Sequence, residues 1–553
     1  MIAPPRLEQS LLLALGWNMM ISKRDIQRLP WARIVAFAAV PMLFVLSALL
    51  HYLDRHSNAL LLIGLCFAAA SAVLAAAYLF NVYSSERRRE FGFAGVLIFS
   101  CVVFAVALPP FSEPDGVHHF FASYWMSDIV LGQSDIGGGG DFPVRSEDYD
   151  LHSYICDRAF AADHLYEINY DTYAATVDGV LSERGVSGEY KRMTSYDFTL
   201  GSENAPAKLG SVAGITIARL LNLGPFALYY AGRIGSILFY STLLLLAYRL
   251  TLRFKNAVVI TALLPMSLNL AASYSYDSGI IALSVLLISA IFRLVESERE
   301  VSPVACAGLI VLTVLLAPCK VVYAVSILIA LLIPSSKFPN KLFSVAFKAM
   351  ILVSAAASIL LFRSASMTAL AGEAASLDYR GFESGHFYSL SYLLAHPLDS
   401  TMLFVRTIRD FGSYFLFTMI GSKLGWLQGS IEAPGVLVVS YIIVALLAMQ
   451  REKTSDDREP VSLRAGSVVV FAIGSFGLLL SLCLGHTFDT ELLIMGVQGR
   501  YFIPLLPLLL FSIRSSTVSV GRYSHVEFAY TAYGILNLWY LLFIIATATT
   551  IMA

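Results

Sequence analysis

The sequence predicts an all-α polytopic membrane protein, and three observations predict it. Of 553 residues, 57% are hydrophobic and only 14% are charged, against about a quarter charged in soluble domains, and mean hydropathy is +0.70. The apolar residues fall in runs long enough for a bilayer core, which takes about 20 residues of helix. Lys and Arg gather in alternate short loops, the asymmetry that sets orientation in a membrane.

About thirteen spans are expected on this basis. The first three run Ile34 to Leu53, Ala59 to Tyr83 and Phe91 to Leu108. The rest run Phe226 to Tyr248, Ala257 to Ala272, Gly279 to Leu294, Val304 to Ala317, Val321 to Ile333, Phe343 to Phe362, Val436 to Met449, Gly466 to Leu484, Tyr501 to Ile513 and Phe528 to Thr550. The chain so divides into an N-terminal segment 1–33, three spans over 34–108, a long loop 109–225, six spans over 226–362, a second loop 363–435 and C-terminal spans over 436–553.

Orientation follows from the short loops. With the N-terminus in the cytoplasm, every inner loop is basic: Lys23 to Arg33, Arg87 to Arg89, Arg249 to Lys255, Arg293 and Arg299, Lys337 and Lys341, Arg451 to Arg464, and Arg514 and Arg522. The long segments 109–225 and 363–435 then both lie outside the cytoplasm. In the first, the stretch through Leu131 and the break at Gly137 to Gly140 suggest helices lying on the membrane surface. In the second, Asp378, Arg380, Glu383, His386, Arg406 and Arg409 are mixed with Leu, Tyr and Phe, which suits another interfacial helical layer.

Composition excludes several classes. A net charge of -1 leaves no basic excess for nucleic acid. Five of six cysteines lie in or beside apolar runs and Cys156 stands alone in the polar stretch, so neither a disulfide framework nor a CxxC metal site is readable. The first twenty residues lack the layout of a cleaved signal peptide, and the absence of any Asn-x-Ser/Thr sequon points toward a bacterial inner membrane.

Candidate chemistry begins where the third span ends. Glu113 and Asp115 flank Pro114, and His118 and His119 follow. Proline disfavours helix before it, so both carboxylates are expected to project toward one cavity beside the lipid headgroups. The plainer reading makes Asp115 a helix N-cap and Glu113 a solvated side chain. Adjacent histidines on a helix point about 100° apart and no HExxH spacing is present, so no metal centre and no cofactor is predicted. Two carboxylates with a substrate phosphate would nevertheless suit a hard divalent ion such as Mg²⁺ or Mn²⁺.

Further along, Arg500 opens a span and Lys320 lies between two apolar runs, both near the outer face. Ionisable groups at membrane depth commonly mark a pathway or site; snorkelling to the headgroups is the ordinary alternative. Arg233 lies several residues into the fourth span, and Tyr276 and Asp277 end a Tyr-rich turn. Arg233 and Asp277 are candidates for a pair with each other or with loop residues, and Tyr276 for stacking on a sugar or for an interfacial aromatic belt.

The run Pro109-Pro110-Phe111-Ser112-Glu113-Pro114-Asp115-Gly116-Val117-His118-His119-Phe120-Phe121 resembles the opening motif of an uncharacterised family of bacterial polytopic proteins grouped with the GT-C glycosyltransferases. Ala231-Gly232-Arg233, Ser275-Tyr276-Asp277, Ala317-Pro318-Cys319-Lys320, Gly421-Ser422-Lys423-Leu424-Gly425-Trp426 and Gly499-Arg500-Tyr501-Phe502-Ile503-Pro504-Leu505-Leu506-Pro507 agree in the same order. The motif departs from the family in following the third span rather than the first. It also reads Ser-Glu-Pro-Asp, which leaves open whether Glu113 or Asp115 holds the key role.

The resemblance implies a GT-C-like fold and an inverting glycosyltransferase. It implies a polyprenyl-phosphate sugar donor and a glycan, lipid or protein acceptor outside the cytoplasm. Asp115 or Glu113 would be the catalytic base, Arg500, Lys320 and Arg233 would hold the donor phosphate, and His118, His119, Asp277 and Tyr276 would line the substrate site. Two other classes compete. A surface-polysaccharide polymerase or ligase would rely on Arg-rich loops, and a lipid-linked glycan flippase or transporter on paired repeats with helices broken at mid-membrane.

Overall fold

A computed structural model describes residues 86–133, 142–159, 166, 168–183, 185–193, 204–371, 386–424, 431–450, 460–514 and 524–550. The expected spans Ile34 to Leu53 and Ala59 to Tyr83 and the glycines 137–140 lie outside them, as do Asp378, Arg380 and Glu383.

In chain order the elements are α1 (Glu86–Ala107), α2 (Gly116–Val130), β1 (Phe142–Arg145), α3 (Ser146–Ala159), α4 (Tyr170–Leu181), β2 (Tyr190–Met193), α5 (Ala205–Leu220) and α6 (Pro225–Leu250). Then come α7 (Lys255–Leu263), α8 (Pro265–Ala271), α9 (Asp277–Glu296), α10 (Pro303–Leu316), a 3-10 helix Val321–Leu332, α11 (Lys341–Ala371), α12 (Leu390–Ala395) and α13 (Pro397–Ile420). The chain closes with α14 (Gly435–Ala448), α15 (Val461–His486), a 3-10 helix Gly499–Leu505, α16 (Leu506–Ser512) and α17 (His525–Thr550).

Six described helices are long and apolar enough to cross a bilayer: Arg89–Ala107, Pro225–Leu250, Asp277–Glu296, Lys341–Arg363, Val461–His486 and His525–Ile545. Pro303–Leu316, Val321–Leu332, Gly435–Ala448 and Gly499–Ser512 are shorter apolar helices. The span expected over Ala257 to Ala272 is broken. Pro265 has no N–H to donate, Leu264 turns extended at ψ 137°, and the run splits into α7 and α8. Inside a bilayer such a break must be satisfied by protein: the Tyr240 hydroxyl donates to the Ala262 carbonyl at 3.0 Å and the Asn537 amide to that of Leu263 at 2.9 Å.

Among the described residues the fold is helical apart from one short pair of strands: β1 and β2 pair antiparallel, Phe142 against Met193 and Arg145 against Tyr190. Helix α2 packs into the protein. It is buried along most of its length, and its polar residues form a seam with α5. Ser123 and Ser211 hydroxyls are 3.0 Å apart, Thr216 donates to Ser127 at 3.0 Å, and the Arg219 guanidinium lies 2.6 Å from Asp128.

Helix α5 belongs to the bundle because small residues let backbones touch. A Cβ on Gly210 would stand 2.5 Å from the Gly235 carbonyl oxygen of α6, and one on Gly235 would meet the Gly210 carbonyl closer still. We expect Gly235→Ala to lower the unfolding free energy by about 1–3 kcal/mol, the ordinary cost of overpacking. Gly308→Ala in α10, where nothing lies within 4 Å, should be neutral or slightly stabilising. Thermal unfolding of both variants in one detergent checks the contrast.

Basic residues from the inner-assigned loops meet at one end of the bundle. Arg89 pairs with Glu527 at 2.8 Å, Arg249 with Glu90, Lys337 with the carbonyls that end α9, and Arg464 donates to the Ser512 carbonyl at 2.6 Å. The first turns of α6 and α9, and the last of α1, lie at the other end, with the acidic motif.

Candidate functional site

The motif turn is built by closing the C-terminus of α1. The last carbonyls of a helix have no partner within it, and here side chains supply them. Arg233 donates to the carbonyls of Ala105 at 2.9 Å, Leu108 at 2.8 Å and Pro109 at 3.0 Å. The Tyr173 hydroxyl serves Ala107 at 2.8 Å and that of Tyr166 serves Pro110 at 2.7 Å. Phe111 then takes a left-handed backbone at φ 65°, its N–H donating to the Tyr229 hydroxyl at 2.8 Å, and Asp115 takes another at φ 53°. Two non-glycine residues at positive φ within five positions are unusual, and the turn they make decides where the carboxylates point.

They point apart, against the expectation of one shared cavity. Glu113 faces inward, its side chain 1% exposed, accepting from the Tyr274 backbone N–H at 3.1 Å and lying 3.4 Å from Arg233. This turn also needs Gly116, because a Cβ there would sit 2.9 Å from the Glu113 carboxyl carbon. Asp115 faces outward with its side chain 45% exposed. It precedes α2 without capping it, since its left-handed backbone turns the carboxylate away from the first-turn N–H groups.

Around Asp115 the chain brings together four distant segments. Arg500, at the start of its 3-10 helix, has Nη2 4.0 Å from Asp115 and Nε 3.3 Å from Asp277. Lys320, which precedes the other long 3-10 helix, has Nζ 3.3 Å from the second Asp277 oxygen and 4.1 Å from the centre of the Tyr501 ring. Gly499 places Arg500 by packing on α13, where its N–H donates to Thr418 at 3.1 Å and a Cβ would collide with the helix backbone. Arg500 is 5% exposed, and its buried Nη1 has no hydrogen-bond partner among the described residues.

His119 closes the far wall. Its ring stands edge-on to Tyr276 at 4.9 Å, and its buried Nδ1 has no hydrogen-bond partner among the described residues. Burial, then the charges of Lys208, His118, Arg500 and Lys320, hold its pKa well below the usual histidine range, so the ring is neutral at physiological pH. His118 is exposed, its ring 5.6 Å from that of His119.

The structure therefore gathers Asp115, Asp277, Arg500, Lys320, Tyr276, His118 and His119. It sends Glu113 and Arg233 to a buried pair behind them. The pairing of Arg233 with Asp277 does not form, because Arg233 is used on the α1 carbonyls. Sequence reasoning missed Lys208, whose ammonium lies 5.6 Å from the Tyr276 ring centre. The available signal was a lone cation among Ala, Pro, Leu and Gly. Among the described residues no group of three or more His, Cys, Asp or Glu side chains is arranged to hold a metal ion.

Behind the site the α2–α5 seam carries a pH dependence. Burial pushes Asp128 from 3.8 up to about 6, although Arg219 opposes the shift. A carboxyl raised in the folded state binds more protons there than in the unfolded chain, so its contribution is complete below the unfolded value and is lost as pH rises through the folded one. We expect the parent to lose stability relative to Asp128→Asn between about pH 4 and pH 6. Unfolding midpoints measured across that range check it.

Stacked apolar helices around a charged cluster at one end define a multi-pass membrane protein. Residues 209–509, more than half of the chain, match the family described as "Predicted membrane protein (DUF2142)", and the chain belongs to that family. No curated protein and no solved structure matches it.

Proposed function

We propose that this protein is an inverting GT-C-type glycosyltransferase, moving a sugar from a polyprenyl-phosphate donor to a hydroxyl acceptor outside the cytoplasm of a bacterial cell. The supporting observation is the half-exposed Asp115 carboxylate 4.0 Å from Arg500, which Asp277 links to Lys320. The ordered motif resemblance is the second support.

In this reading Asp115 takes the proton of the acceptor hydroxyl as its oxygen attacks the anomeric carbon. The bond from that carbon to the phosphate oxygen breaks, and polyprenyl phosphate departs with the electron pair. Arg500 and Lys320 hold the charge of the departing phosphate, which charge-assisted hydrogen bonds in a dry site do well. Asp115 then returns its proton to water. No metal is required by this scheme.

The break at Pro265 is the feature that favours a transporter, where unwound helices carry ion sites. Here the carbonyls at the break are held by Tyr240 and Asn537, so the enzymatic reading is preferred. The test is a transfer assay in nanodiscs with a panel of polyprenyl-phosphate sugars, read as polyprenyl phosphate released and as anomeric configuration of product. The reading expects release with at least one donor, and inverted product. Movement of intact donor across proteoliposomes with no cleavage would support transport instead.

A further inference from the structure

We infer that Arg363 is a positioning residue for this site: it fixes the turn from which Lys320 reaches Asp277. The inference rests on the proposed reading of the site as a lipid-phosphate site and adds a residue outside the ordered motifs.

Arg363 lies just past the expected span Phe343 to Phe362, on the side assigned to the outside. A cation there does nothing for orientation, and the ordinary fate of such a side chain is to snorkel to the headgroups. The guanidinium reaches the turn that ends α10. Its Nε donates to the Pro318 carbonyl and its Nη2 to the Cys319 carbonyl at 2.8 Å.

The last carbonyls of a helix have no partner within it. Cys319 serves those of α10, its N–H donating to Leu316 at 3.0 Å and its thiol to Leu315 at 3.1 Å. Arg363 serves two carbonyls that follow. The second matters most, because the Cys319 carbonyl and the Lys320 nitrogen belong to one planar peptide unit. A rigid fork on two successive carbonyls therefore sets the plane from which Lys320 departs. On its other side the Lys320 carbonyl accepts from the Tyr323 N–H at 3.0 Å, opening the 3-10 helix Val321–Leu332. Held at both peptides, the extended Lys320 carries its Nζ to 3.3 Å from Asp277, which lies 3.3 Å from Arg500. Once Arg363 is removed, the plane before Lys320 can turn, and the long side chain magnifies the turn at its ammonium. A longer contact, 3.5 Å from Arg363 to the Asn204 amide oxygen before α5, belongs to the packing of the bundle, and a double-mutant cycle separates the two roles.

The experiment titrates polyprenyl phosphate and polyprenol, the same tail without the phosphate, onto the full chain in nanodiscs. The parent is compared with Arg363→Gln, Lys320→Met and the double variant, and Arg363→Met runs in parallel so that one folded replacement suffices. The parent is expected to prefer the phosphate. Each single variant should lose about tenfold of that preference, with polyprenol binding unchanged, and the double variant about tenfold rather than the roughly hundredfold of independent sites. With the ammonium gone, nothing is left for Arg363 to position. Preference kept in full by the Arg363 variants, or losses that multiply in the double variant, would overturn the role of Arg363 and leave the phosphate reading standing. A parent that binds both lipids alike would overturn that reading, and the inference with it.

Discussion

Asp115→Asn is expected to lower kcat for sugar transfer by about 10² to 10⁴, the range for loss of a positioned general base, with KM for the donor nearly unchanged. The amide has almost the same shape, and the left-handed backbone at Asp115 tolerates asparagine well, so the turn should survive. The carboxylate is half exposed, and the buried Arg500 keeps Asp277 at 3.3 Å when Asp115 loses its charge. Steady-state transfer with an active donor measures the loss, and Asp410→Asn, an exposed carboxylate on α13 paired with Arg409, is the control. Turnover undiminished in Asp115→Asn would remove this residue from the role of base.

Arg233→Met is expected to act on folding instead, destabilising the protein by about 3–5 kcal/mol, the usual consequence of leaving a buried charge uncompensated. Glu113 would lose its cationic partner in a nearly waterless place, and the carbonyls of Ala105, Leu108 and Pro109 would lose their donors together. Glu113→Gln should be milder than Arg233→Met, because the amide oxygen still accepts from the Tyr274 N–H and Arg233 keeps its three carbonyls. The double variant should not recover the parent's stability, since the carbonyls stay open. Thermal unfolding in detergent checks the order, and turnover per folded molecule in Glu113→Gln should stay near that of the parent.

These two expectations separate residues that sequence alone could not. Glu113 and Asp115 are alike in charge, and both follow the same span. What distinguishes them is the sign of φ at Phe111 and Asp115, a property set by tertiary contacts from Tyr229, Tyr166 and Arg233. Arg233 was legible as a charge too deep in a span to be a topology signal. Its partners lie more than a hundred residues away, at the end of α1, and no local pattern points to them.

The apolar runs were legible because hydropathy acts on whole segments. The expected spans Phe226 to Tyr248 and Gly466 to Leu484 fall inside the helices Pro225–Leu250 and Val461–His486. Hydropathy does not report backbone geometry, so Ala257 to Ala272 reads as one span although Pro265 divides it, and Val321–Leu332 reads as an ordinary helix although it winds as 3-10. The seam between α2 and α5 was not legible for a related reason. The α2 serines and Asp128 look solvent-facing in sequence, yet each has a partner on α5, more than eighty residues on.

The proposed chemistry stands on which face of the bilayer the cluster opens to, and side-specific labelling reads this directly. In a background with all six cysteines replaced, His118→Cys places a thiol at the exposed edge of the site, and Arg299→Cys places one in an exposed loop at the basic end. A membrane-impermeant maleimide added to intact bacterial cells is expected to label His118→Cys at once and Arg299→Cys only after permeabilisation. The reverse order would put the cluster in the cytoplasm and contradict the account.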